Sequence, residues 1–162
     1  MNKFYSFTLA ALTCLASFSS ATAQINYGGT PSFITETEEL RNTRMTMPSF
    51  DREDIAAADA VTDQIKEVPW RFGIENEVDY SPSTHGYWSV ENGENVWRLS
   101  LTGDEATAMS IRFSEFGLQK GQSLFIWSPE TGDYIGKFDH RSVKDWGGLA
   151  TGILTGSEII IE

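Results

Sequence analysis

Between residue 70 and the end of the chain, hydrophobic and polar residues alternate in short runs, a pattern typical of β-strands. In residues 96–102, for example, Arg98 and Ser100 separate Trp97, Leu99 and Leu101. The runs start every roughly 8 to 15 residues, which leaves no room for crossover helices. We therefore predict an all-β domain over residues 70–162, an antiparallel β-sandwich of the jelly-roll type. Its predicted strands cover residues 71–78, 86–91, 96–102, 109–116, 123–128, 134–138, 149–154 and 158–162.

The pattern has a helical period only in residues 51–68, which we predict to be an amino-terminal α-helix. Asp51 is its expected cap and Pro69 its expected stop. Its apolar stripe is narrow and rich in alanine, so we expect the helix to lie against a larger body; the stripe comprises Ile55, Ala58, Val61 and Ile65. The preceding residues, 24–50, are polar and contain turn residues, which predicts an extended or loosely ordered lead-in.

Residues 1–23 have the pattern of a signal peptide: Lys3, an apolar run over residues 7–18, and a small-residue cleavage site at 21–23. The prediction is a secreted or periplasmic protein. The apolar run is too short for a membrane-spanning helix, so we expect no membrane association after signal removal. Cys14 is the single cysteine and lies in this segment. The mature domain must therefore fold without a disulfide, which suits a bacterial exported protein.

The composition supports a folded chain, with 40% hydrophobic and 12% aromatic residues. Its formal net charge is −11, and no basic residues are clustered. This charge argues against nucleic acid and anionic membranes as partners, because both require neutralisation of phosphates.

Candidate catalytic residues are few. His85 and His140 are the only histidines, and no Gly-x-Ser-x-Gly or Gly-Asp-Ser-Gly sequence is present. A hydrolytic triad needs a base beside its nucleophile, so we predict that this chain has no catalytic residues and is not an enzyme. The glycine-rich patterns that hold phosphates are also missing, and we predict no cofactor.

Acidic residues offer a weak case for calcium, which takes six to eight oxygen ligands. Two groups are candidates: Glu75, Glu77 and Asp79, which alternate on one face at the end of the predicted strand 71–78, and Asp133, Asp139 and Asp145 in loops. No Asp-x-Asp-x-Asp-Gly loop is present, so we interpret most of these acids as solvated surface and predict no metal site; a bound calcium ion stays open.

Five tryptophans in a small exported domain raise the alternative of a carbohydrate-binding or adhesin-like sandwich. Trp97 and Trp127 lie among apolar neighbours and are expected in the core, whereas Trp146, in a glycine-containing loop, is expected to be exposed. The alternative requires Trp88 and Trp146 on one exposed face. Residues 124–127 are apolar at every position, so this strand is either central or covered.

The order and spacing of ten short segments resemble the amino-terminal pro-region of secreted bacterial trypsin-like serine proteases of the lysyl endopeptidase type, particularly those of the Bacteroidetes. The segments span nearly the whole mature chain: residues 28–32 (GGTPS), 47–51 (MPSFD), 53–54 (ED), 69–73 (PWRFG), 86–88 (GYW), 96–99 (VWRL), 111–116 (IRFSEF), 121–128 (GQSLFIWS), 134–138 (YIGKF) and 156–162 (GSEIIIE).

The resemblance implies a β-rich pro-region that assists folding of a chymotrypsin-like catalytic domain and keeps it inactive until proteolytic removal. The last run is strand-like up to Glu162, so we expect the catalytic domain, with the family's His, Asp and Ser, beyond that residue. His85 and His140 match none of these catalytic positions. The candidate contact residues for this partner are Trp70, Arg71, Phe72, Trp127 and Trp146.

Overall fold

A computed structural model describes residues 27–34 and 36–162, and the predicted signal peptide lies outside the described residues. The described chain contains helices α1 (Glu38–Asn42) and α2 (Arg52–Thr62) and a 3-10 turn at His140–Ser142. Its strands are β1 (Met45–Thr46), β2 (Tyr87–Glu91), β3 (Glu94–Thr102), β4 (Ala108–Met109), β5 (Arg112–Phe113), β6 (Ser123–Trp127), β7 (Tyr134–Asp139), β8 (Leu149–Ala150), β9 (Leu154–Thr155) and β10 (Glu158–Ile161). No described helix is long and apolar enough to cross a membrane.

The fold is β-rich, as predicted, and is organised around a sheet in the order β1-β3-β10-β6-β7, with β2 also paired to β3. The long alternating run at β3 allows this strand to pair with β2 through its first half and with β10 through its second. Among the described strands, only the β1–β3 pair is parallel. The prediction of an entirely antiparallel arrangement is wrong at this pair, because the amino-terminal lead-in contributes a strand.

One face of the sheet carries the larger hydrophobic core. Alternation on β3 and β10 directs Leu99, Leu101, Ile159 and Ile161 to this face. Two short ladders, β4–β9 and β5–β8, bring further apolar residues against it. Each ladder pairs part of run 109–116 with part of run 149–154, so the two long strands predicted there are each broken into two.

The opposite face is covered by the first part of the amino-terminal segment, which we define as residues 27–34 and 36–50; its Met45 and Met47 pack instead against the larger core. Leu40 of α1 is fully buried against Trp127 and Ile160. The ring of Phe33 meets the Trp127 ring edge-on at 5.4 Å between centroids. The lead-in, predicted to be extended or loosely ordered, has no helix or strand over residues 27–34, but it packs on the sheet because the apolar face of residues 124–127 needs a cover.

Helix α2 starts where predicted, since Asp51 Oδ1 accepts hydrogen bonds from the amides of Glu53 and Asp54 at 2.8 and 3.3 Å. It ends at Thr62 rather than at residue 68, and none of its residues is buried. Val61 and Thr62 are β-branched and have low helix propensity. Because no side chain of α2 is buried, packing does not stabilise a helix that continues beyond them. The strand predicted at 71–78 is also wrong: this stretch is exposed and unpaired with the sheet.

Candidate interaction surface

Helix α2 and the irregular chain that follows it carry large apolar side chains in solvent. We call residues 51–79 the exposed segment. Single exposed apolar residues are ordinary on protein surfaces, but a run of them in one segment is not. The exposed apolar members are Val61, Ile65, Val68, Trp70, Phe72, Ile74 and Val78.

The aromatic residues in this segment are the most prominent members. Phe72 is 99% exposed and Trp70 is 71% exposed. Between them Arg71 donates a 2.8 Å hydrogen bond from Nε to the Asp59 carboxylate on α2. This contact ties the extended chain back to the helix and leaves both flanking rings facing solvent.

The same segment is strongly acidic, with nine Asp or Glu residues against three Lys or Arg residues. Its described ion pairs to the rest of the protein are Arg52 with Glu105 and Arg112 with Glu75, and both lie at the surface. Exposed pairs of this kind contribute little to stability. The exposed segment is thus an apolar and acidic surface attached loosely to the β-rich body.

Three of the five predicted contact residues, Trp70, Arg71 and Phe72, are consecutive in the chain and all are exposed. Trp127 is only 3% exposed and offers no surface while the amino-terminal segment covers it. Trp146 is 71% exposed, as the loop pattern predicted, and it lies between the 3-10 turn and β8. No described contact joins Trp146 to the exposed segment.

A buried arginine network, not anticipated from the sequence, fastens the amino-terminal segment to the sheet. Arg98 is 1% exposed on the face opposite the larger core. Its guanidinium donates to both carboxylate oxygens of Glu91, to Glu162 Oε2 at 2.8 Å and to Ser32 Oγ at 3.0 Å. The Glu162 carboxylate also accepts a 2.9 Å hydrogen bond from the amide of Ser32.

Charge pairing dominates the ionisation of this network. Burial disfavours the Arg98 cation, but its hydrogen bonds to Glu91 and Glu162 outweigh that effect and raise the Arg98 pKa above its ordinary value. In turn, hydrogen bonds from Arg98 and then from Ser89 lower the pKa of Glu91 to about 2. Alternation indicates the face shared by Arg98 and Glu162, but it does not reveal the pairing, which joins residues 64 positions apart in the chain.

A second polar group lies under the same segment. Arg44 Nη2 contacts Glu36 at 2.6 Å and Glu158 at 3.0 Å, and the hydroxyl of buried Ser100 donates to Glu158 at 2.5 Å. The hydrogen bond from Arg44 lowers the pKa of Glu36. A cavity of about 150 Å³ adjoins these side chains and Leu40. The carboxylates of Glu36 and Glu158 both face the Arg44 guanidinium. This cluster of side chains is therefore a structural connection rather than an anion site.

The histidines do not assemble catalytic chemistry in the described part of the chain. His85 Nδ1 lies 2.9 Å from Thr84 Oγ1, and its ring packs on Tyr80. His140 Nδ1 is 3.8 Å from Asp139, whose carboxylate is instead held by Arg141, a contact that lowers the Asp139 pKa to about 2. A catalytic arrangement needs a nucleophile, a base beside it and a third group that orients the base. Neither the His85–Thr84 pair nor the His140–Asp139 pair has this arrangement.

The acids considered for calcium do not converge: in the described residues no three side chains of His, Cys, Asp or Glu are grouped as metal ligands.

Comparison with known proteins does not assign this chain to a family. No protein-family model, curated protein or solved structure matches this chain.

Proposed function

We propose that this chain is the non-catalytic pro-region of a secreted trypsin-like serine endopeptidase of the lysyl endopeptidase type. In this proposal it binds the catalytic domain, assists its folding and keeps it inactive until proteolytic removal. The chain itself is not an enzyme, uses no cofactor, and reaches the periplasm or the exterior through its signal peptide.

The observation that carries the proposal is the exposed segment. Burying large side chains such as those of Trp70 and Phe72 releases roughly 25 cal/mol for each Å² of apolar surface. The β-rich body does not obtain this stabilisation, because both rings face solvent. A partner with an apolar groove would obtain it, and the acidic residues of the segment would steer a basic partner toward it.

The resemblance of the ten sequence segments supplies the class of partner. A pro-region must hold its protease tightly and then be removable by proteolysis. The exposed, irregular chain after α2 suits removal, since cleavage concentrates at such sites.

The finer architecture belongs to the same proposal. We interpret the main sheet as one layer of a sandwich and the β4–β9 and β5–β8 ladders as the other, with the larger hydrophobic core between them. A jelly-roll connection of these layers is the arrangement that we propose.

Refolding of the catalytic domain tests the proposed function. The domain is refolded from denaturant alone or with an equimolar amount of the mature chain, and the recovered peptidase activity is measured after the chain is digested. We expect several-fold higher recovery with the chain present. Before digestion, we expect the chain to inhibit the peptidase.

Two tryptophans of equal exposure supply the matched variants, because Trp70 and Trp146 are both 71% exposed. Trp70→Ala is expected to weaken inhibition by about tenfold or more, the loss of about 1.4 kcal/mol or more at a buried aromatic contact. Trp146→Ala is expected to inhibit like the unchanged chain. Equal recovery and activity with and without the chain would exclude the pro-region function.

A carbohydrate-binding or adhesin-like module is the second candidate, favoured by the exposure of Trp88 and Trp146. Flat aromatic rings in solvent can stack on sugars. In this case Trp146→Ala abolishes retention on insoluble polysaccharide and leaves folding intact, while Trp70→Ala has no effect. The same pair of variants thus separates the two functions.

A further inference from the structure

The main chain after α2 lacks the protection that the rest of the domain provides. Within residues 63–79 every residue except Asn76 is exposed, and Asn76 is half-buried. The last hydrogen bond of the turn that follows the helix runs from the amide of Val68 to the carbonyl of Ile65, at 3.1 Å. Among the described residues, none from 69 to 80 takes part in a main-chain hydrogen bond.

An endopeptidase needs a stretch of extended chain that can enter its cleft, and folded elements must unfold locally before they are cut. Residues 69–79 meet this requirement without unfolding. They contain one basic residue, Arg71, followed by Phe72, whose side chain is almost fully exposed. The ion pair of Arg71 with Asp59 lies at the surface, and such pairs are too weak to block access.

We propose that the Arg71–Phe72 bond is a processing site for an endopeptidase that cleaves after basic residues. Water hydrolyses the amide, which leaves a carboxylate on Arg71 and a new amino group on Phe72. The endopeptidase supplies the catalysis, and no oxidant or reductant is consumed. The observations behind it are main-chain exposure and residue type. It specifies a site in the chain where the proposed function already places cleavage, and the digestion below tests it separately from refolding and inhibition.

The structure further assigns a two-chain product, because the piece before the cut is part of the fold. That piece contributes β1, whose Met45 and Thr46 pair with Leu101 and Thr102 of β3. It also contributes buried Leu40. Its polar contacts with the other piece include Ser32 with Glu162 and Arg44 with Glu158.

Limited digestion of the purified protein with trypsin tests the site. Intact-mass analysis at early times is expected to show a first cut, within the described residues, between Arg71 and Phe72. The rate is expected to be within about tenfold of that for a synthetic peptide covering residues 67–79, in which Arg71 is the single basic residue, because no unfolding precedes cleavage. A rate about a hundredfold or more below the peptide's would show that the site is protected and would overturn the proposal.

Arg112 provides the matched control. Its side chain is 80% exposed, more than the 42% of Arg71, but its main chain pairs with Ala150 in the β5–β8 ladder. We expect Arg71→Gln to slow the first cut by at least about tenfold and Arg112→Gln to leave it unchanged, because main-chain pairing decides accessibility. A first cut after Lys66 or Arg112, or an unchanged rate in Arg71→Gln, contradicts the assignment.

Size-exclusion chromatography of the cut protein under native conditions tests the two-chain product. Both pieces are expected in one peak at the elution volume of the uncut protein, and they are expected to separate only in denaturant. Separate elution under native conditions would show that the contacts of the amino-terminal piece do not hold it and would overturn this part of the inference.

Discussion

The amino-terminal segment and the exposed segment are consecutive in the chain and have opposite relations to the β-rich body. In the first, Leu40 is fully buried and Phe33 packs on Trp127. In the second, Phe72 is almost fully exposed and α2 buries none of its residues. Both carry apolar side chains, so apolar content does not explain the difference. The two short ladders lie against one apolar face of the main sheet. The amino-terminal segment covers the other apolar face.

Two arginines repeat this contrast among charged residues. Arg98 is buried and is satisfied by two carboxylates and by hydroxyl groups, whereas Arg71 makes one ion pair at the surface. A buried charge is costly unless all its hydrogen bonds are made, and removing one partner leaves the other uncompensated. The comparison therefore predicts where substitutions affect folding and where they affect only binding.

The largest effect is expected at the buried network. Arg98→Ala leaves the Glu162 carboxylate, which is largely buried, without its cation and should reduce the free energy of unfolding by about 3–5 kcal/mol. Urea denaturation at pH 7 measures the change. Arg112→Ala, which removes an exposed arginine, is the control and should change stability by less than about 0.5 kcal/mol. A loss below about 1 kcal/mol for Arg98→Ala would contradict the importance of the network.

The next effect tests whether the amino-terminal segment belongs to the folded unit. Leu40→Ala removes a fully buried side chain from the contact with Trp127 and Ile160 and should cost about 2–5 kcal/mol. Val61→Ala, on the exposed face of α2, should change the unfolding free energy by less than about 0.5 kcal/mol. Equal effects of the two substitutions, measured by thermal and urea unfolding, would remove the distinction between the segments.

Lowering the pH is expected to have a smaller effect on the stability of the fold. The folded-state pKa of Glu91 is lowered from 4.5 to about 2, so the carboxylate stabilises the fold above its unfolded pKa. This contribution is lost as the pH falls from about 4.5 toward 2. The depressed pKa of Asp139 acts in the same direction.

Glu91→Gln isolates this part of the pH dependence. We expect the variant to be less stable than the unchanged protein at pH 7 and to approach it as the pH falls toward 2, in unfolding midpoints recorded between pH 7 and 2.5. Glu94→Gln changes an exposed glutamate on the same hairpin and should follow the unchanged protein. Parallel curves for Glu91→Gln and the unchanged protein would show that the Arg98 pair does not titrate with folding.

The smallest effect on folding is expected in the exposed segment. The double variant Trp70→Ala and Phe72→Ala removes two exposed rings and should change the free energy of unfolding by less than about 0.5 kcal/mol. Urea denaturation measures it beside Trp127→Ala, a buried tryptophan whose loss should cost about 3–5 kcal/mol. A large loss in the double variant would show that these rings stabilise the domain itself.

Local pattern was sufficient for the strands with strong alternation and clear turns. The runs that became β2, β3, β6, β7 and β10 were predicted within about two residues, because side-chain period and turn chemistry are local properties. The cap at Asp51 was predicted for the same reason. The end of α2 was not, since no buried contact extends the helix to Pro69.

The structure leaves Trp70, Arg71 and Phe72 exposed and buries Trp127, while their role as contact residues stays a prediction. The sequence singled out the first three together with Trp127. It could not distinguish them from Trp127, because burial of an aromatic side chain depends on what the remaining chain places over it. The pro-region function and the exported location stay predictions.

The sequence by itself determined a β-rich fold, the positions of its most regular strands and the exposed loop that holds Trp146, all of which follow from periodicity and turn residues. Only the tertiary structure decided that the amino-terminal segment packs on the sheet, with Phe33 and Leu40 over Trp127, and that residues 51–79 remain outside. It also decided that Arg98 meets Glu91, Glu162 and Ser32. These outcomes depend on contacts between residues far apart in the chain, where the burial of one surface is determined by which other segment reaches it.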